Sequence, residues 1–219
     1  MKTTKLHYIE TKTGFQILNQ ESPLLTPLKK PIILPSEQIA KEFVAHDLKT
    51  NPLLKHINTI LDFVTIKRKE YEAAILDYID YDSILYWSEE PKDLFENQSK
   101  EWGKIITFVA KQTNAIPLKT HKLETIEQNP VIKSHFQAWL EALNPFQLFG
   151  CHEIVFELKS VFITYALSQN AIDFERAFQA AFLEEYHQIG LWGMTEEQEE
   201  CLNDIKSSCI ENLKLLQLS

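Results

Sequence analysis

Residues 177–193 read AFQAAFLEEYHQIGLWG. Wound at roughly 100° per residue, the stretch 173–189 is a helix with a carboxylate where a core residue belongs. Phe174, Ala177, Phe178, Ala181 and Ile189 form one apolar stripe. Glu185 falls near the middle of that stripe, with Gln188 at its edge. Glu175, Arg176, Gln179, Glu184 and His187 lie on other faces, as on a solvated helix. A charge on a packing face is costly unless it is paired or used. Glu185 therefore has two possible roles: one half of a buried ion pair, with Lys159 the most economical cation, or a carboxylate presented to a partner protein. Periodicity leaves both open.

Upstream, 153–169 is the most apolar helix of the chain, with one polar stripe through Glu153, Glu157, Ser160, Thr164 and Ser168. It reads as the central helix of its domain, with Lys159 off the stripe among apolar residues. Downstream, 195–198 fits a capping box, Thr195 with Gln198 as the return partner, and opens a final helix through Ile205, Cys209, Leu213 and Leu216. Further back, helical spacing recurs over 67–87, 98–114 and 131–143.

The first part of the chain differs. Leu6 and Tyr8, then Phe15 and Ile17, alternate with polar neighbours, and Lys12-Thr13-Gly14 makes the turn between them. Pro23, Pro27, Pro31 and Pro35 keep the following strands short or at an edge. Ser36 caps a helix over 37–48. The fold class is thus α+β: a small N-terminal α+β domain with short antiparallel strands, residues 1–56, followed by a larger all-α domain, residues 57–219.

The bulk numbers narrow the function. With 219 residues, 44% hydrophobic and 24% charged, the chain is an ordinary globular composition. A net charge of −9 and only two arginines, Arg68 and Arg176, disfavour nucleic acid as a partner. Cys151, Cys201 and Cys209 match no zinc spacing and read as free thiols in a reducing compartment. No apolar run approaches the roughly 18–20 residues of a membrane span, and MKTTKLHYIE has neither a signal-peptide core nor a transit-peptide pattern. A bacterial cytoplasm is the expected compartment, with a mature mitochondrial matrix protein as the alternative. No phosphate loop, dinucleotide fingerprint, nucleophile elbow or His-Glu-x-x-His occurs, so no cofactor is expected.

Three constellations remain. Glu184-x-x-His187 has the spacing of a di-iron helix, but no second such motif completes the set. A carboxylate and histidine metal centre at Glu184, Glu185 and His187, in a helical enzyme, is the alternative functional reading. Cys151 beside His152 does not make a dyad, since neighbours on a helix point roughly 100° apart. Asn58, Thr59 and Asp62 interrupt an apolar segment, either as caps or as a polar patch.

Glu184-Glu185, Gln188 and Trp192-Gly193 resemble the closing signature of the assembly chaperones for the alpha subunit of F-type ATP synthase, found in mitochondria and alphaproteobacteria. The family usually has Asp-Glu at the first pair. Gly14-Phe15, Leu18, Thr26-Pro27 and Leu34-Pro35 resemble its opening, although Asn19-Gln20-Glu21 stands in place of Asp-Gly-Arg. Pro52-Leu53, Asn58-Thr59 and Asp62, then Tyr78, Asp82, Tyr86, Glu90-Pro91, Leu94, Gln98 and Trp102, match in order and spacing, with Trp87 for the usual Arg. The resemblance implies the same α+β then helical arrangement, no catalysed reaction and a monomer that binds the unassembled alpha subunit and masks its aggregation-prone surface. The second glutamate of the closing motif is a functional position in that family, which here is Glu185. The expected partner-binding residues are Glu185, Gln188, Trp192, Asp62 and Asp82.

Overall fold

A computed structural model describes residues 6–218. The chain forms two compact units, one built on residues up to Lys69 and one on Glu70–Gln217. In the first, β1 (Leu6–Thr11) and β2 (Gly14–Asn19) pair antiparallel from Leu6↔Asn19 to Thr11↔Gly14. Two short strands, β3 (Ser22–Pro23) and β4 (Ile33–Leu34), flank β2 as the prolines require. Gly14 is needed at its place: its φ is +136°, and a Cβ there would lie 2.5 Å from the Leu34 carbonyl oxygen. Ile17, Ile32 and Leu34 are buried with Ile39, Ala40 and Phe43 of α1 (Glu37–Ala45), the helix that Ser36 caps.

Asn51 joins α1 to α2 (Leu53–Thr59). Its amide donates to the Phe43 carbonyl at 2.7 Å, and its oxygen accepts from Leu53 N at 3.0 Å. α2 then widens into a π-helical turn, Ile60–Val64. Asp62 points inward from this turn, where Thr26 Oγ1 donates to it at 2.6 Å and Leu28 N at 3.1 Å. These bonds place α2 and the turn with the small unit, beyond the 56/57 division expected from the sequence.

The second unit is helical, and its helices follow α3 (Arg68–Tyr78), which starts at the division. They are α4 (Lys92–Thr113), α5 (Pro130–Ala142), α6 (Pro145–Leu158), α7 (Val161–Ser168), α8 (Phe174–Ala181), α9 (Leu183–Trp192) and α10 (Glu196–Leu216). Trp102 of α4 donates its indole N–H to the Ala180 carbonyl at 2.7 Å, pinning α4 to the end of α8. The capping box predicted at Thr195 and Gln198 forms at the start of α10. At the α6–α10 crossing, a Cβ on Gly150 would sit 2.5 Å from the Asn212 carbonyl oxygen and 2.9 Å from Leu216 N. The α+β class read from the sequence is the class observed. Among the described residues, no helix is long and apolar enough to cross a membrane.

Three stretches expected from periodicity to be single helices are broken: 67–87 is α-helical only to Tyr78 and runs on in short 3-10 turns, Ile79–Tyr81 and Ser83–Leu85, and the other two divide into separate helices. The stretch 153–169 divides at Lys159, whose φ of 54° is left-handed, and Ser160 starts α7 as its N-cap. Ser160 Oγ accepts from Ile163 N at 3.0 Å. Asp82 completes the new terminus: its carboxylate accepts from Phe162 N at 2.9 Å, while also capping Ile84 N at 3.3 Å. The expected polar stripe is therefore not solvated at Ser160 and Thr164, both of which are fully buried. The stretch 173–189 divides at Phe182 (φ −106°, ψ 26°), a buried ring between α8 and α9. The break changes the helical phase, so the faces of one continuous wheel do not hold beyond Ala181.

Two expected outcomes follow from this packing. Gly150→Ala inserts a methyl against the α10 backbone and lowers stability by about 1–3 kcal/mol, read as a lower urea midpoint. Burial, the largest cause, pushes the Asp82 carboxyl up to about 6 against the hydrogen bonds that pull it down. A folded pKa above the unfolded value of about 3.9 means that the native state binds more protons between the two, so this group's contribution falls as pH rises from about 4 to 6. Asp82→Asn cannot ionise; its stability relative to wild type shifts in the variant's favour over that window, by on the order of 3 kcal/mol, and levels off above it. Urea titrations of both proteins from pH 4 to 7 check the sign.

Candidate functional site

The closing motif lies on α9, which begins directly after the buried Phe182. Its two adjacent carboxylates have different surroundings. Glu184 is half-buried, and Gln98 Nε2 of α4 donates to it at 2.7 Å. Gln98 is itself fully buried and accepts from Ser88 N at 2.8 Å, so the amide is locked in one orientation. Desolvation, followed by the charge of Glu185, raises the Glu184 carboxyl above its ordinary range, and the Gln98 hydrogen bond opposes them. His187 Nε2 meets Asp93 Oδ2 of α4 at 3.0 Å. That bond holds the Asp93 carboxyl below the usual range. Glu184 and His187, expected on solvated faces, are thus the residues that tie α9 to α4.

Glu185 is the reverse case. Expected on a packing face, its side chain is 44% exposed. Lys159 is the nearest cation, as expected, but its Nζ stands 3.8 Å from Glu185 Oε1 with 57% of the side chain exposed, so the pair is a surface pair rather than a buried one. The reason is the break at Phe182, which turns Glu185 off the stripe that Ala177 and Phe178 bury. The three residues of the metal-centre reading do not converge: Glu184 turns to Gln98, Glu185 to Lys159 and His187 to Asp93. Among the described residues, no group of three His, Cys, Asp or Glu is placed to hold a metal ion.

Beyond Glu185 the helix ends in exposed apolar residues. Trp192 is 78% exposed and Leu191 60%, and Met194 is also exposed beyond Gly193, which has a φ of 83°. Gln188 is exposed beside them. The first two turns of α10 follow immediately with Glu196, Glu197, Glu199 and Glu200, all exposed. The surface is an apolar knob with acidic residues on both sides of it in the chain.

Asp62 and Asp82, expected to bind a partner, are elsewhere and inside. Each is at most 1% exposed and accepts backbone N–H groups, Leu28 for Asp62 and Ile84 and Phe162 for Asp82. They hold backbone in place and offer no carboxylate to solvent. Sequence reasoning gave no role to Asp93, Leu191, Met194 or Cys201. For Leu191 and Met194 the signal was available: with Trp192 they put three apolar residues within four positions at a helix end, where no single packing face takes them all.

A profile of the family described as ATP12 chaperone protein matches residues 2–110. The mitochondrial protein atp12 of Schizosaccharomyces pombe is 25% identical over 181 residues, 74% of this chain and 62% of that protein, so the match spans less than two thirds of the relative's length. The crystal structure of Atp12 from Paracoccus denitrificans has a TM-score of 0.88 at 26% identity, over 98% of this chain and 96% of that one. The Atu1473 protein of Agrobacterium tumefaciens shares the fold at 21% identity, with a TM-score of 0.87 over 99% of this chain and 84% of that one.

A solvent-screened pair contributes little, so Glu185→Gln changes unfolding free energy by less than about 1 kcal/mol. Breaking a buried pair would instead cost about 3–5 kcal/mol. Denaturant unfolding of the variant distinguishes these two outcomes.

Proposed function

Because the chain belongs to the ATP12 chaperone family, we propose that it is an assembly chaperone of ATP synthase whose client is the unassembled alpha subunit. It acts by binding and not by catalysis. The observation that carries this reading is the exposed apolar knob of Leu191, Trp192 and Met194, set next to the half-exposed Glu185. A monomeric domain gains nothing in its own stability from such a group, and exposed apolar patches mark surfaces that meet other proteins. An alpha subunit that has not met its beta partner exposes apolar surface of its own, which aggregates unless covered. Covering it with a patch of modest size, bordered by charge, gives a hold that the correct partner can displace.

Glu185, Gln188 and Trp192 are the contact residues in this reading. The buried pair Asp62 and Asp82 supports the two units from within. Glu184 and His187 act one step back by fixing α9 on α4, so the knob is presented from a held helix and not from a loose one.

The test is co-expression of the tagged protein with the alpha and beta subunits of the same organism's ATP synthase. Soluble alpha is recovered with the tag and beta is absent. Trp192→Ala and Glu185→Gln keep the wild-type unfolding free energy to within about 0.5–1 kcal/mol and recover at least several-fold less alpha. Alpha that stays aggregated and unbound with the wild-type protein overturns the reading.

A further inference from the structure

Next to the knob, α9 and α10 leave a cleft of about 190 Å³. Phe182 and Ile189 line one part of it, and Leu202 and Ile205 of α10 another. Glu185 and Lys159 add a charged pair 3.8 Å apart to the lining, beside Gln198 and Cys201 of α10. The floor is apolar, and each ion is more than two-fifths exposed, so neither is committed to the interior. Lys159 reaches the cleft because it sits in the left-handed break between α6 and α7, with its Nζ also 5.9 Å from the centre of the Phe182 ring. Among the described residues, Lys159 is the one cation of the lining, whereas the adjoining start of α10 carries Glu196, Glu197, Glu199 and Glu200.

We propose that this cleft takes one apolar side chain from an extended segment of the client, and that a Lys or Arg next to it in the client replaces Lys159 on Glu185. The inference rests on the chaperone reading and specifies the kind of client segment it binds. Charge complementarity sets the occupant: an acidic border around an apolar floor favours a basic–apolar segment and repels an acidic one. The Lys159–Glu185 pair is then an internal stand-in that keeps the carboxylate partnered until the client cation arrives. A surface pair costs little to exchange, since one screened ion pair is broken as another forms. The cleft is continuous in the chain with the knob through Gly193–Thr195, so one client surface covers both.

Cys201 lines the cleft and is exposed, while Cys151 and Cys209 are buried. Burial pushes both of those thiols far above the usual range, and the charge of Glu157 adds to the effect at Cys209. The native protein therefore carries its own reporter, because the thiolate is the reactive form and only Cys201 is open to reagent. Maleimide labelling of Cys201 is followed with and without saturating alpha subunit. Bound alpha slows labelling at least tenfold. Lys159→Gly removes the competing cation and keeps the break, since glycine enters the left-handed region freely. This variant binds alpha a few-fold more tightly than wild type, and the gain disappears in the Glu185→Gln background. Alpha that binds while Cys201 labels at the free rate, or a Lys159→Gly variant that binds no more tightly, overturns the cleft assignment and leaves the chaperone reading intact. Absence of any alpha binding overturns both.

Discussion

The helical unit depends on one buried carboxylate. Asp82 stands at the start of α7 with no solvent contact and gathers the N–H groups of Phe162 and Ile84. A helix N-terminus presents unsatisfied donors and a partial positive charge, and a carboxylate answers both. Burying it is expensive, as its raised pKa records. In return the chain is made to stop one helix and begin another at a defined residue. Ser83 N donates to the Lys159 carbonyl at 3.0 Å, so the same turn that supplies Asp82 also holds the break itself. From that break come the left-handed Lys159, the separate direction of α7 and the pairing of Lys159 with Glu185.

Local signals were enough for much of this architecture. The β1–β2 hairpin, the proline-shortened strands, Ser36 as an N-cap and the Thr195–Gln198 box depend on residues within a few positions of each other, and they appear where the sequence puts them. The helix breaks at Lys159 and Phe182 are different. Neither Lys159 nor Phe182 is a glycine or proline, and neither is marked by composition. Lys159 is broken by a carboxylate 77 positions earlier in the chain, and Phe182 lies where a large ring is buried between two helices. A wheel drawn through either point assigns faces that the fold does not keep. This is why the wheel puts Glu185 on the packing stripe and Glu184 off it, the opposite of what packing does.

Asp62 and Asp82 show the complementary limit. Polar residues in apolar segments do stand out in a sequence, and both stand out here. Whether such a residue turns outward to a partner or inward to a backbone amide depends on what the rest of the chain brings to it. Thr26 and Leu28 come to Asp62 from the strand region, and the start of α7 comes to Asp82. In the candidate site the sequence marks the closing motif, and the division of labour within it is written in three dimensions: Gln98 and Asp93 of α4 anchor α9, which leaves Glu185 in a surface pair and the Trp192 end exposed.

The contact at Gly150 has a further consequence in time. α6 and α10 meet backbone to backbone there, joining positions 62 residues apart. During synthesis α9 emerges with its apolar end before α10 exists to dock beside it. One wall of the cleft belongs to α10, so that wall is missing until residues beyond 205 have left the ribosome and packed on α6. A half-made chain thus carries the sticky knob without the finished groove. The close glycine seat lets α10 complete that wall with no side chain held between the two backbones.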